Sequence, residues 1–135
     1  MSGMSREDMK RRTKQYALRI IRLVSSLPKS GAARVIGGQL LRAGTSVGSN
    51  YRAACRGRSR AEFMAKLGIV EEEADESLYW QELLVESGIV KESLLADLMR
   101  EGNEILAIVV ATRKTTRARG VRRRQIENRT SKIAN

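Results

Sequence analysis

The sequence predicts an all-α fold: an antiparallel up-down-up-down four-helix bundle over residues 1–118, followed by a disordered basic tail over residues 119–135. Three observations predict it. Apolar residues recur every three to four positions in four successive segments. The segments are joined by short connections, of the length that links antiparallel neighbours in a bundle. The five aromatics (Tyr16, Tyr51, Phe63, Tyr79 and Trp80) are outnumbered by Leu, Ile, Val and Ala, which suits helix packing better than a sandwich, and no strand pattern competes.

The first helix is expected from about Arg6 to Ser26, with Tyr16, Ile20, Leu23 and Leu27 on one stripe. It ends before Pro28, because the residue preceding a proline is disfavoured in the helical region. The second runs from about Gly31 to Arg56, with Ile36, Leu40, Gly44, Val47, Tyr51 and Ala54 spaced by three or four, and Gly57 as its stop. Gly37, Gly38, Gly44 and Gly48 lie inside it, each costing roughly 1 kcal/mol in helix propensity against Ala. They imply close approach by a neighbouring helix, or a kink near Gly37-Gly38. The third helix opens with Ser59-Arg60-Ala61-Glu62, a capping-box pattern, and carries Phe63, Leu67, Val70, Ala74 and Leu78 on its core face, with Gly88 as its stop. The fourth runs from about Lys91 to Arg117 through Leu95, Leu98, Gly102, Ile105 and Val109. Beyond Gly120 the apolar period disappears, and the rest reads as a disordered basic tail.

Composition excludes several chemistries. The 135 residues contain no histidine, which removes Ser-His-Asp and Cys-His catalysis, the Glu-x-x-His ligands of di-iron bundles and most zinc sites. No cofactor is expected. One cysteine, Cys55, permits no intrachain disulfide and fits a reducing cytoplasm, and without a histidine base it reads as a packed thiol. Arg19 and Arg22 interrupt the first apolar stretch, so no signal peptide is expected, and the longest apolar run, 105–111, is too short to span a bilayer.

Charge is sorted along the chain. From Arg42 to Lys66 six bases face one acid, a net of +5; from Glu71 to Glu104 eleven acids face two bases, a net of −9; from Arg113 to Asn135 nine bases face one acid, a net of +8. A total of +11 and a pI near 10.7 point to an anionic partner. The acidic segment is expected to pair with arginines 52, 56, 58 or 60, in the same subunit or a neighbouring one. The bases Arg113, Lys114, Arg117, Arg119, Arg122, Arg123 and Arg124 are the candidate nucleic-acid contacts. Arginine forks match phosphate oxygens, and with almost no aromatic residue among them neither base stacking nor sequence readout is indicated.

Three polar groups form an ordered signature: Ser46-Val47-Gly48-Ser49-Asn50 in mid-helix, the capped Ser59-Arg60-Ala61-Glu62-Phe63 start, and Glu73-x-x-Glu76-x-x-x-Trp80. Ser46 and Asn50 share a helix face and read first as an interhelical hydrogen-bond site, with surface solvation and then a ligand site as the competing readings. Glu72, Glu73 and Glu76 could supply oxygens to Mg²⁺ in a nuclease, but lack a clear second carboxylate group on a facing helix. Trp80 reads as a core or interface anchor.

This constellation, from about Tyr16 to Val110, resembles the bacterial four-helix-bundle family encoded within 23S rRNA intervening sequences, which is similar in turn to the accessory variability proteins of diversity-generating retroelements. The resemblance implies a ring-like homopentamer without enzymatic activity. In the retroelement branch it implies a basic barrel that binds nucleic acid and a reverse transcriptase. One departure is Ala53, where many relatives carry an acid, so no role of that acid carries over. The expected function is therefore a non-catalytic, cytoplasmic homo-oligomer binding nucleic acid, RNA above all, through arginine-rich surfaces, with no membrane partner. A scaffold for a reverse transcriptase or other protein is the alternative, and a carboxylate-dependent Mg nuclease a third.

Overall fold

The computed structural model describes residues 4–134; residues 1–3 and Asn135 lie outside the described residues. Four α-helices follow one another: α1 (Arg6–Ser26), α2 (Gly31–Cys55), α3 (Arg60–Glu86) and α4 (Glu92–Ala134). Among the described residues there is no strand. Their starts and stops follow local chemistry. Ser5 and Asp8 form a reciprocal capping box on α1. At α3, Ser59 Oγ accepts from the Glu62 N–H (3.1 Å), while the Glu62 carboxylate takes the Arg58 N–H (2.5 Å), one residue earlier than in a closed box. Gly88 takes φ +79°, which lets the chain reverse so that the Val90 N–H reaches the Leu84 carbonyl (3.0 Å). Gly57 stops α2 through space rather than through a left-handed backbone, since a Cβ there would lie 3.1 Å from the Ala54 carbonyl oxygen and 3.2 Å from Phe63 N.

Each helix packs on the next, and α4 returns to touch α1. Contacts run in opposite order along consecutive helices. Gly37, Gly44 and Gly48 of α2 face Leu27, Ile20 and Thr13 of α1 in turn, and residues 60, 68 and 78 of α3 face residues 120, 113 and 102 of α4. The predicted stripes form the core, with Tyr16, Ile20, Leu40, Val47, Leu67, Val70, Ala74, Leu95, Ile105 and Val109 buried and Leu23 and Ile36 half-buried against it. Helix α2 is continuous, so its glycines serve approach: Gly44 holds Ile20 and Gly48 lies against the Thr13 backbone, whereas Gly38 faces open space.

A polar node lies inside this core. The Tyr16 hydroxyl is 2.8 Å from Ser77 Oγ and accepts from Gln81 Nε2 at 2.9 Å. Gly102 makes room for it, because a Cβ there would stand 2.7 Å from Tyr16 Oη and 2.9 Å from Leu78 Cδ2. Burial pushes the Tyr16 phenol above its ordinary value.

The C-terminal segment corrects the expectation of disorder: α4 is helical over 43 residues, and residues 121–133 are exposed. The lost apolar period marks lost burial, not lost helix. Arg, Lys, Gln and Glu are good helix formers, Gly120 is the only breaker after Gly102, and a helix already nucleated adds residues without a new nucleation cost. The division at residue 118 thus falls within one helix.

Two stability outcomes follow. Gly102→Ala is expected to lower unfolding free energy, since overpacking of about 1–3 kcal/mol outweighs the propensity gain; Gly38→Ala, in open space, should raise it by up to about 1 kcal/mol. Urea denaturation of both variants checks the contrast. For Tyr16 the folded state holds the phenolic proton more tightly than the unfolded chain. Its contribution is intact below pH of about 10 and is lost as pH rises through the folded value. Tyr16→Phe should cost about 1 kcal/mol at neutral pH and fall off less steeply than wild type in thermal melts above pH of about 10.

Candidate nucleic-acid interface

Five acids of the middle segment are paired across helix interfaces by arginines from three helices. Arg12 of α1 grips Glu101 with two bonds of 2.7 Å and also pairs with Glu104. Arg42 of α2 meets Glu73 (3.1 Å) and Glu76. Arg113 of α4 meets Glu71 (3.0 Å). Within the chain, the expected partners, arginines 52, 56, 58 and 60, are not the ones used. Because α2 and α3 run in opposite directions from the turn at Gly57, residue 42 stands opposite residues 73–76, while residues 52–60 crowd at the turn itself. The hydrogen bond from Arg42 holds the Glu76 carboxyl below the usual carboxylate range. Trp80 Nε1 donates to the same carboxylate (3.2 Å), so the half-buried indole braces this surface network while packing against the core.

Ser46 and Asn50 do not bridge two helices within the chain. Asn50 Nδ2 donates to the Ser46 carbonyl in its own helix (2.9 Å), and both side chains are half-buried. The close seat for α1 is made by Gly44 and Gly48 instead. Cys55 is half-buried against the core. Burial first, and Cys55 second, push the neighbouring Tyr51 phenol up. Among the described residues no three His, Cys, Asp or Glu side chains gather as a metal-holding group.

The bases of α4 divide into two kinds. Arg113 is committed to the bundle: it pairs with Glu71, and its guanidinium lies 3.4 Å from the point a Gly68 Cβ would occupy. Position 113 still faces α3, which sets Arg113 apart from the exposed bases that follow it. Lys114, Arg117, Arg119, Arg122, Arg123 and Arg124 are exposed, and among these six the only ion pair is Arg123–Glu127 (3.4 Å). Gly120, buried inside this basic stretch, carries the Arg60 side chain, whose Nη1 would be 3.2 Å from an added Cβ. Arginines from the α2–α3 turn are thereby drawn to the same end of the molecule as the arginines of α4. Sequence reasoning missed two of the residues involved. Arg12 stands one turn before Tyr16 on the apolar stripe, and a charge on such a stripe is the signal that marks it. Gly120 carried a signal too, as a glycine inside an otherwise strong helix former.

A comparison with curated proteins finds no match. Among solved structures, a protein of unknown function from the S23 ribosomal protein family of Bacteroides thetaiotaomicron is similar, with a TM-score of 0.75 and 31% identity over 82% of this chain and 99% of that chain. The model of the 23S rRNA-intervening sequence protein family matches residues 6–111. The bases from Arg113 onward lie beyond that match. With helices α1 to α3 and the bundle half of α4 inside it, the chain belongs to the 23S rRNA-intervening sequence protein family.

Proposed function

We propose that this protein is a non-catalytic, up-down-up-down bundle that binds nucleic acid, RNA above all, through the arginine-rich half of α4. One observation carries the reading. Between Arg117 and Lys132 an exposed helix presents seven bases and one acid, while acids of the bundle are already engaged by Arg12, Arg42 and Arg113. The excess positive charge is therefore concentrated on the element with the fewest internal partners. Several like charges fall at helical neighbour spacing, such as Arg119 with Arg122 and Arg123, and repel one another. A polyanion relieves that repulsion and releases its own counterions. The bases surround the helix, so contacts to phosphate follow rather than readout of base edges. The single thiol fits a reducing cytoplasm, and no helix among the described residues is long and apolar enough to cross a membrane.

A second reading, a protein-interaction scaffold, draws on exposed apolar side chains away from the basic end: Val35, Tyr79 and Leu94 are 65%, 51% and 72% exposed. These fit contacts between copies of the chain, a homopentamer being the form we propose, or with a protein such as a reverse transcriptase. A Mg-dependent nuclease is the weaker reading, because Glu73 and Glu76 are held by Arg42.

The test is the salt dependence of binding. With about five phosphates neutralised, log K for duplex nucleic acid should fall against log salt with a slope near −4. The triple variant Arg122→Gln/Arg123→Gln/Arg124→Gln should reduce that slope by about 2–3 and weaken all sequences alike. A flat salt response, or full affinity in the triple variant, contradicts the reading. Complex formation with a protein that survives nuclease treatment favours the scaffold.

A further inference from the structure

The end of the bundle holds a hollow of about 350 Å³ where the start of α1, the α2–α3 turn and α4 meet. Four arginines from these separate places line it: Arg6, Arg58, Arg60 and Arg119, with Phe63 and Thr116 beside them. Among the described residues no acidic side chain lines it. Among the described residues, none of the four guanidinium groups has a carboxylate within ion-pair distance, in contrast to Arg12, Arg42 and Arg113.

The walls are held by specific contacts. The Arg6 guanidinium sits over the Phe63 ring, 4.4 Å from its centroid, where the ring face attracts a cation. Arg60 lies across Gly120, whose missing side chain leaves it room. The turn backbone beneath Arg58 is pinned by Glu62, whose carboxylate takes the Arg58 N–H and whose own N–H is taken by Ser59. The Glu62 carboxylate is thus directed at the turn backbone rather than at a guanidinium group. Four like charges gathered around one hollow repel each other, and the site lowers its energy by admitting an anion. Guanidinium forks suit phosphate oxygens, two donors to each group.

We propose that this hollow is a phosphate clamp that seats two adjacent phosphates of the polynucleotide whose flank lies along α4. Arg119 belongs to both the hollow and the exposed helix, so a strand leaving the clamp continues directly onto Arg122 and Arg123. The clamp rests on the nucleic-acid reading above for its polynucleotide, but its chemistry is testable apart from it. Four arginines around a cavity make a localised site, whereas the exposed half of α4 offers a diffuse field.

The probe for the clamp alone is pyrophosphate, titrated into the full isotopically labelled chain at low salt. Saturable shifts are expected at backbone amides of residues 57–63 and 116–120. Binding should weaken at least tenfold in Arg58→Gln/Arg60→Gln and stay unchanged in Arg34→Gln/Lys91→Gln, two exposed bases at the opposite end of the bundle. Both arginines of the first variant are exposed, and an unaltered circular dichroism spectrum checks that it folds. Non-saturating shifts spread over all basic residues, or equal binding by the Arg58/Arg60 variant, overturn the clamp. With an RNA oligonucleotide, the same variant should lower the salt slope by about 1.4–1.8, the share of two phosphates. RNA binding with an unchanged slope removes the clamp and leaves the α4 reading standing. Saturable pyrophosphate binding without any RNA binding leaves the clamp and removes the nucleic-acid reading.

Discussion

The fold depends on where the Tyr16 hydroxyl is placed. Helices α1 and α4 meet only sparsely, and their meeting is organised by this one side chain. It crosses from α1 to bond Ser77 and Gln81 on α3, and Gly102 of α4 is hollowed to admit it. A buried hydroxyl must be paired, so α1 and α3 cannot rotate or slide past one another without leaving it unsatisfied, and α4 cannot slide without losing the space that Gly102 provides. Once Tyr16 is seated, Arg12 stands one turn away on the same stripe and meets Glu101 and Glu104. The level of α4 against the bundle is then set. Starting at Glu92 and held at Gly102, α4 overruns the other helices: its residues past Gly120 extend for about 20 Å with no core to face.

Charge follows from that placement. Every arginine that finds a carboxylate across a helix interface, Arg12, Arg42 or Arg113, does so within the span where α4 still lies on its neighbours. Past this span the bases have no acidic surface opposite them. The same antiparallel geometry brings the α2–α3 turn to the base of the overrun, so Arg58 and Arg60 join the α4 arginines instead of the α3 acids. Internal pairing and external excess are thus two results of one topology. The opposed charges of the middle segments hold helix faces together, and the uncompensated charge is delivered to one end.

Much of this was legible in the residues. Apolar spacing, Pro28, Ser59 and Gly88 located three helices and the start of the fourth, because each reports a local backbone requirement. The stripe positions named the core. What could not be read depended on relative placement. The choice of Arg42 over arginines 52–60 needs the pairing of α2 with α3. The commitment of Arg113 needs the distance from Gly68 and Glu71. Asn50 bonds the Ser46 carbonyl of its own helix, not a neighbouring helix of the chain. The basic segment differs for another reason: loss of apolar periodicity there records that the helix has left the core, not that the helix has ended. The glycine at 120 held the missing clue, since a residue without a side chain amid arginines marks something lying across the helix.

The most direct test of this division of labour is amide hydrogen exchange of the full chain, free and with a single-stranded RNA oligonucleotide. In the free protein, α4 should exchange slowly up to about residue 110 and quickly beyond residue 121, where no tertiary contact protects the helix. RNA should slow exchange over residues 117–133 and leave the acidic face of α3 unchanged. Protection centred on the face carrying Glu71, Glu73 and Glu76, or none in the basic half of α4, would contradict the account.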